Sequence, residues 1–439
     1  MTVTSTTASQ RHDLEHRLAE ARVKSDELFS ILDPAALYER PIPERHRLVF
    51  YLGHLEAFDW NLVARRAAGR DAFRDEFDRL FAFGIDPVGG GLPTDQPSDW
   101  PSAEQVEAYR RRVRNAVDEI LAGDWSGHPL LESAVAFNVA IEHRLMHIET
   151  LAYLLHQLPY EKKRRPRMDP ETPGTRTPRA QRPIPAGRAT LGMRRDSGRF
   201  GWDNEFEQDV VRVEAFTIDS HPVTNGDLLE FVVAGGYRQR ELWSEADGTW
   251  RESQHLEHPG FWRRRGRDWM LRGMFDERPL PLAWPAYVSQ AEATAYARWK
   301  GRRLPTEPEF HRAAYGTPGG EEREYPWGAD DPTARPGNYD LRRWDPTPVG
   351  AFPEGDSAFG VSELVGNGWE WTSTVFGPLP GFRAFEFYQG YSANFFDGHH
   401  YVMKGGSSRT AACMLRRTFR NWFQPHYPYV YTKFRTVAP

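Results

Sequence analysis

Residues 161–190 divide this chain in two. The stretch opens EKKRRPRMDPETPGTRTPRAQRPIP, which is dense in proline and arginine and has no apolar periodicity, so it reads as a linker. Residues 1–160 before it carry the 3.6-residue periodicity of helices. Residues 191–439 after it turn rich in glycine, tryptophan and tyrosine. With 439 residues the chain is also too long for one ordinary core, so two domains are expected on length alone.

In the first part, apolar residues recur at helical spacing from Leu14 to Leu32 (Leu14, Leu18, Ala21, Leu28, Leu32), and Asp33-Pro34 stops the pattern. A second helix is expected from near Pro43, carrying Leu48, Leu52, Leu55 and Leu62 before Gly69; a third from Ala103 to Leu121; a fourth from Leu131 to Leu155. Four amphipathic helices with no strand between them predict a four-helix bundle, with residues 68–102 as its irregular connection. The second part offers strand candidates at Val210–Phe216 and Tyr401–Lys404 and helices at Asn225–Ala234 and Ser289–Lys300, an α+β domain with many ordered loops. The fold class expected is therefore multi-domain, α followed by α+β.

Several function classes are excluded. Net charge is −5, and the longest basic run, Lys162–Arg167, lies in the proline-rich stretch without interleaved aromatics, which argues against nucleic acid. No apolar run reaches the roughly 18 residues of a membrane helix, and residues 1–10 are polar with no signal core, so a cytoplasmic protein is expected. A single cysteine, Cys413, rules out an internal disulfide and any cysteine-rich metal site; its apolar neighbours in AACML predict a buried structural thiol.

Any metal must then be held by histidine or carboxylate. His143 and His147 are four apart on the fourth helix, so both imidazoles leave one face a turn apart, and His54, in FYLGHLEAFDW, can join from a facing helix. Three imidazoles suit iron, zinc or copper and leave positions open for substrates. A solvated pair of histidines at this spacing is the plain alternative.

The segments around these histidines, YLGHLEAFDWN and EHRLMHIETL, resemble the DinB-like helical domain of the ergothioneine sulfoxide synthases. In the second part, FTIDSHPVTNGDLLEFVVAGGY (216–237), ARWKGRRLPTEPEFHRAA (297–314), GNGWEWTST (366–374), GYSANFFDG (390–398), KGGSSRT (404–410) and FRNWF (419–423) resemble, in order, the formylglycine-generating-enzyme-like, C-type-lectin-related fold. The resemblance implies a nonheme Fe(II) held by His54, His143 and His147, O2 as cosubstrate, and a carbon–chalcogen bond made at imidazole C2 of hercynine, the trimethylated histidine. It implies that Asn421 and Trp422 hold the trimethylammonium group, whose cation needs an aromatic face, although core packing would equally explain Trp422. It also implies a proton- or electron-donating tyrosine, for which Tyr388 and Tyr391 in FYQGYSANFF are the candidates. Asn367, Glu370 and Trp371 fall in a segment that the similar fold uses as a structural turn, and Thr306, Glu307 and Glu309 read as the start of a helix. The copper site of the formylglycine-generating enzymes, which needs a cysteine pair, is impossible with Cys413 alone.

The sequence departs from that family where the sulfur donor is held. Synthases that use γ-glutamylcysteine carry Asp directly after RNW and Arg four residues later; here those places are Phe423 and Tyr427, and the family's arginine-rich segment is replaced by IDPVGGGLPTDQPSDWP (85–101). A lining of Gln424, His426, Tyr427, Tyr429 and Tyr431 suits a sugar better than a dicarboxylate peptide. This resembles the selenoneine synthase branch, which implies a selenosugar donor. The alternatives are an ergothioneine sulfoxide synthase using cysteine or γ-glutamylcysteine, a zinc-dependent thiol transferase, and a non-catalytic sugar-binding protein.

Overall fold

The computed structural model describes residues 8–82, 92–167, 174 and 178–439. It divides into two compact units, Met1–Arg167 and Met168–Pro439.

The first unit is helical: α1 (Ala8–Ser30), α2 (Leu48–Asp59), α3 (Asp75–Leu80), α4 (Ala103–Ala122), α5 (Pro129–Glu132) and α6 (Val135–Gln157). Helix α1 packs on α6, and α2 lies against both α4 and α6. Helix α4 starts at a reciprocal cap between Ser102 and Gln105, and α6 is buried along almost its whole length, as a central helix must be when it is apolar on every side. Three details differ from the periodicity reading. The second helix begins at Leu48 rather than Pro43 and continues as a π-helix over Trp60–Ala67. The fourth is broken at Ala134, whose φ of 57° is left-handed, so Leu131 belongs to the separate turn α5. The connection expected to be irregular contains α3, whose short acidic sequence DEFDRL shows too little periodicity to be read.

The second unit is α+β. Its elements are β1 (Gln181–Ile184), β2 (Gly187–Leu191), β3 (Asp209–Val213), β4 (Phe216–Asp219), α7 (Asn225–Val233), α8 (Glu245–Ser253), β5 (Trp262–Arg265), β6 (Asp268–Arg272), β7 (Glu277–Pro279), α9 (Gln290–Trp299), α10 (Glu307–Tyr315), β8 (Trp369–Val375), β9 (Tyr401–Lys404), β10 (Asn421–Phe423) and β11 (Thr432–Lys433). Strand order in the main sheet is β10-β9-β8-β11, antiparallel except for the parallel pair β8–β11. Smaller sheets pair β1 with β4, β2 with β3, and β5-β6-β7. Ile184, Ile218, Phe310, Val361, Leu364 and Val437 form a core in which α10 meets strands β1 and β4.

Strands β1 and β2 lie inside the stretch read as linker, so ordered structure starts at Gln181 and the linker reading fails for residues 181–190: their partners β4 and β3 are distant in sequence and supply a pairing that local composition hides. The linker residues 168–173 and 175–177, and residues 85–91 of the replaced segment, lie outside the described residues. The single strand expected at Val210–Phe216 is two strands in different sheets. Cys413 is exposed, not buried, because it sits on a single 3-10 turn whose Met414 faces inward instead. No helix among the described residues is long and apolar enough to cross a membrane.

Candidate active site

His54 lies in the middle of α2, and His143 and His147 lie one turn apart on α6, so packing α2 against α6 brings all three together. The Nε2 atoms of His54 and His147 are 3.2 Å apart and those of His147 and His143 are 3.1 Å apart. Among the described residues this is a set of three buried side chains whose ligand atoms all lie within 4.8 Å of one another.

The orientation of His54 is built from the connection after α2. A helix C-terminus leaves carbonyls without partners, and the carbonyl of Phe81, just past α3, accepts the His54 Nδ1–H at 2.6 Å. That bond puts the proton on Nδ1 and leaves a lone pair on Nε2, the tautomer a metal ligand needs. Helix α3 is itself pinned by Asp78: its carboxylate accepts the Trp60 indole N–H at 3.0 Å and the Tyr109 hydroxyl at 2.8 Å. Gly53 allows the approach, since a Cβ there would lie 2.5 Å from the Phe81 ring. Phe58 stacks on His143 with centroids 3.4 Å apart, and Phe50 stacks on His54 at 4.8 Å.

Burial keeps these imidazoles neutral. It lowers His54 to about 4, and it lowers His143 and His147 well below the usual histidine value, their histidine neighbours adding to the effect. Arg144, between them in sequence, is fully buried and directed away into α2, where it meets Glu56 at 2.8 Å and Asp59 at 2.6 Å. Burial alone would raise Glu56, but Arg144 and Arg114 outweigh it and hold the carboxyl well below its normal range.

The donor set fits a metal ion. Neutral nitrogens 3.1–3.2 Å apart share either a proton or a cation, and two imidazoles each about 2.0–2.1 Å from a shared ion approach to roughly this distance. With no carboxylate or thiolate in the set, iron, zinc and copper all remain chemically suitable.

In the second unit, the structure brings Tyr388, Tyr391 and Trp422 into one aromatic cluster. Trp422, on β10, stacks on Phe376 with centroids 4.2 Å apart and planes within 7°, and meets Tyr391 edge-on at 5.5 Å. Tyr391 stacks on Trp202 at 4.0 Å and lies 5.6 Å from Tyr388. Burial, and then the carboxylate of Asp203, push the Tyr388 phenol up to about 12, so it carries its proton at any ordinary pH. Ser392 donates to Asp203 at 2.5 Å, tying the tyrosine loop to the turn that holds Trp202. Because side chains alternate along a strand, Asn421 and Phe423 leave β10 on the face opposite Trp422. Phe423 stacks on Tyr427 at 5.2 Å, and Tyr427 meets Tyr429 edge-on at 5.1 Å. Tyr431 does not join this lining: it is buried against Phe261 and Tyr287, because the chain turns inward after Tyr429. Asn367, Glu370 and Trp371 are structural, as the sequence suggested. Asn367 accepts from Asn338 and Thr347, Glu370 pairs with Arg435, and the Trp371 indole donates to the Val288 carbonyl.

Residues 168–439 match the family described as the sulfatase-modifying factor enzyme 1-like domain, and residues 17–151 match the DinB superfamily. Hercynine oxygenase of Mycolicibacterium thermoresistibile is 32% identical, with 96% of this chain and 94% of that protein covered. That of Mycolicibacterium smegmatis is 34% identical, with 94% and 96% covered. The match to hercynine oxygenase of Mycobacterium tuberculosis is 42% identical and more local, spanning 51% of this chain and about half, 52%, of that protein. The chain belongs to the hercynine oxygenase family. Membership in an oxygenase family makes it an enzyme, which sets aside the sugar-binding protein and the zinc-dependent thiol transferase. The residues that sequence reasoning missed, Phe81, Asp78, Gly53, Trp202 and Asp203, bear on the histidine set or the aromatic cluster through backbone atoms and through side chains remote in sequence. Only Gly53, directly before His54 inside a helix, carries a local signal, since glycine there costs helix stability unless something approaches closely.

Proposed function

We propose that this enzyme uses Fe(II) and O2 to join selenium or sulfur to imidazole C2 of hercynine, with a selenosugar as its preferred donor: a selenoneine synthase. His54, His143 and His147 would hold the iron, which when bound supplies the redox chemistry with O2. In the second unit, the half-exposed Trp422 offers an indole surface to the trimethylammonium of hercynine, which can be held by ring faces but cannot donate a hydrogen bond. Asn421, on the opposite face of the same strand, turns its Oδ1 back to the Trp422 N–H at 2.8 Å and so does not share the indole surface. Tyr388 or Tyr391 would supply a proton, and the raised phenol of Tyr388 keeps that proton in place until it is needed.

The observation that carries the donor assignment is the ring pair Phe423–Tyr427, at 5.2 Å and within 15° of parallel. It occupies the two places where users of γ-glutamylcysteine carry Asp and Arg. A peptide with two carboxylates would lose its cationic partner there, and a desolvated carboxylate without one is costly. A sugar has apolar faces that pack on rings and hydroxyls that find neighbouring polar groups. Ergothioneine synthesis with cysteine or γ-glutamylcysteine is the second reading, favoured by the hercynine oxygenases and by a fungal ergothioneine biosynthesis protein 1 of Neurospora crassa, 26% identical to this chain.

The test is anaerobic iron loading, then exposure to O2 with hercynine and, in parallel, 1-selenoglucose, 1-thioglucose, cysteine or γ-glutamylcysteine, with products read by mass. A hercynine–selenosugar adduct as the main product is expected. Turnover with cysteine or γ-glutamylcysteine and none with either sugar would move the enzyme to ergothioneine synthesis.

A further inference from the structure

Residues 421–429 are half-exposed or exposed without interruption, whereas residues 430–437 are buried without interruption. That run carries the rings of Phe423, His426, Tyr427 and Tyr429, each partly exposed, while Trp422 leaves the opposite face of β10 and packs on Phe376. Partly exposed rings gathered on an ordered turn offer a surface on which a ligand can pack. The turn is rigid: Tyr427 N–H bonds to the Gln424 carbonyl at 3.3 Å, and the Pro425 carbonyl accepts the Ala291 N–H on α9 at 3.2 Å.

His426 is set within this turn by helix α8. Asp247 and Trp250, three residues apart and therefore on one face of α8, hold the imidazole from two sides. Asp247 Oδ1 takes the Nε2–H at 2.7 Å, and the Trp250 ring lies parallel to it, within 8° at 4.6 Å. Asp247 is itself fixed, since its Oδ2 accepts the Ser244 hydroxyl at 2.6 Å. With Nε2 committed to the carboxylate, Nδ1 is the second polar atom of a ring held in a fixed plane, and no described residue bonds to it. A brace between α8 and the turn needs one nitrogen; the second, oriented and free, is placed for a ligand.

We propose that His426 is a donor-recognition residue, offering Nδ1 to one hydroxyl of the sugar donor while the Phe423–Tyr427 pair of the same turn takes an apolar face of that sugar. This inference deepens the donor assignment above and rests on it. One hydrogen bond to a sugar hydroxyl is worth about 3- to 10-fold in donor affinity.

The test compares wild type, His426→Phe and His426→Gln with hercynine and 1-thioglucose or its 2-, 3-, 4- and 6-deoxy analogues, measuring KM for each donor and for hercynine. Phenylalanine keeps the stack on Trp250 and removes the acceptor; glutamine restores a carbonyl acceptor. In the wild type one deoxy analogue should show a KM about 3- to 10-fold above the parent sugar. In His426→Phe the parent's KM should rise to match that analogue, with the hercynine KM unmoved, and His426→Gln should recover part of the discrimination. A brace alone would shift all donors together and would leave the ratio between parent and deoxy sugar intact, which would overturn the proposal. Should the phenylalanine variant fail to fold, His426→Leu, which also lacks an acceptor, takes its place, and an unchanged ratio in it would overturn the proposal likewise. A wild type that turns over cysteine or γ-glutamylcysteine but no sugar takes down the donor assignment itself, and this inference with it.

Discussion

His54 has a lone pair on Nε2, the nitrogen proposed to bind metal, because Nδ1 is committed to the Phe81 carbonyl, and a comparable economy governs Asp203. One oxygen of Asp203 accepts from Ser392, while the other is buried with no hydrogen-bond partner among the described residues. Burial raises this carboxyl to about 6 against hydrogen bonds that lower it. The folded state therefore binds the proton more tightly than the unfolded chain does. Its stabilising effect is full below the unfolded value near 3.8 and is lost as pH rises toward 6, a difference of up to roughly 3 kcal/mol. Asp203→Asn keeps an oxygen for Ser392 and cannot ionise. Its stability advantage over wild type should grow between pH 4 and 6 and level off above, read from denaturant midpoints at each pH; a constant difference would mean that Asp203 does not titrate in that window. At the donor position, Phe423→Asp with Tyr427→Arg should lower kcat/KM for the sugar donor at least about tenfold, since a charged pair replaces the stacking surface, and should open turnover of γ-glutamylcysteine through an Arg–carboxylate pair. Loss of sugar turnover with no gain for the peptide would show that these two places do not set donor choice.

Helix α3 is the element that decides how well the histidines are held. Asp78 anchors it to Trp60 and Tyr109, its end presents the Phe81 carbonyl to His54, and Gly53 makes room for the Phe81 ring. That ring is fully buried among Phe50, Phe77 and Trp100 and has nowhere to retreat. Gly53→Ala removes the helix penalty of glycine, about 1 kcal/mol, yet forces Phe81 away, so helicity should hold while Fe(II) affinity falls about 10- to 100-fold, the usual cost of losing the partner that orients a ligand. Anaerobic Fe(II) titration with circular dichroism in parallel checks both halves; unchanged affinity would show that the Phe81 carbonyl contributes little. The elements differ in how legible they were. Helices α7, α9 and α10 begin at reciprocal caps, Thr224–Asp227, Ser289–Glu292 and Thr306–Glu309, which are written in consecutive residues. Strands β1 and β2 are paired by segments far along the chain, so proline and arginine content alone misread them.

At the scale of the whole molecule, the histidine set and the aromatic set lie one in each unit. His54, His143 and His147, the Phe81 carbonyl that orients one of them, the Asp78 anchor and the Arg144–Glu56–Asp59 cluster all belong to Met1–Arg167. Trp422, Tyr388, Tyr391 and the Phe423–Tyr427 pair all belong to Met168–Pro439. The three histidines were suggested by two of them sharing a helical face and the third sitting mid-helix, a pattern that a solvated pair also produces, and the resemblance singled them out. The aromatic cluster was legible only through the resemblance, since a tryptophan in a tryptophan-rich domain looks like core packing until its neighbours are known. The division of labour predicts that residues 1–167 expressed alone fold, because the helices bury their own core, and bind Fe(II) with an affinity within about tenfold of the full chain, because no ligand is lost. The fragment should form no hercynine adduct with any donor. Isothermal titration of Fe(II) into the anaerobic fragment, followed by exposure to O2 with hercynine and 1-thioglucose, measures both properties. Affinity lower by a hundredfold or more in a folded fragment would mean that the histidines depend on the second unit for their arrangement, and adduct formation by the fragment would remove the substrate role assigned to Trp422, Phe423 and Tyr427.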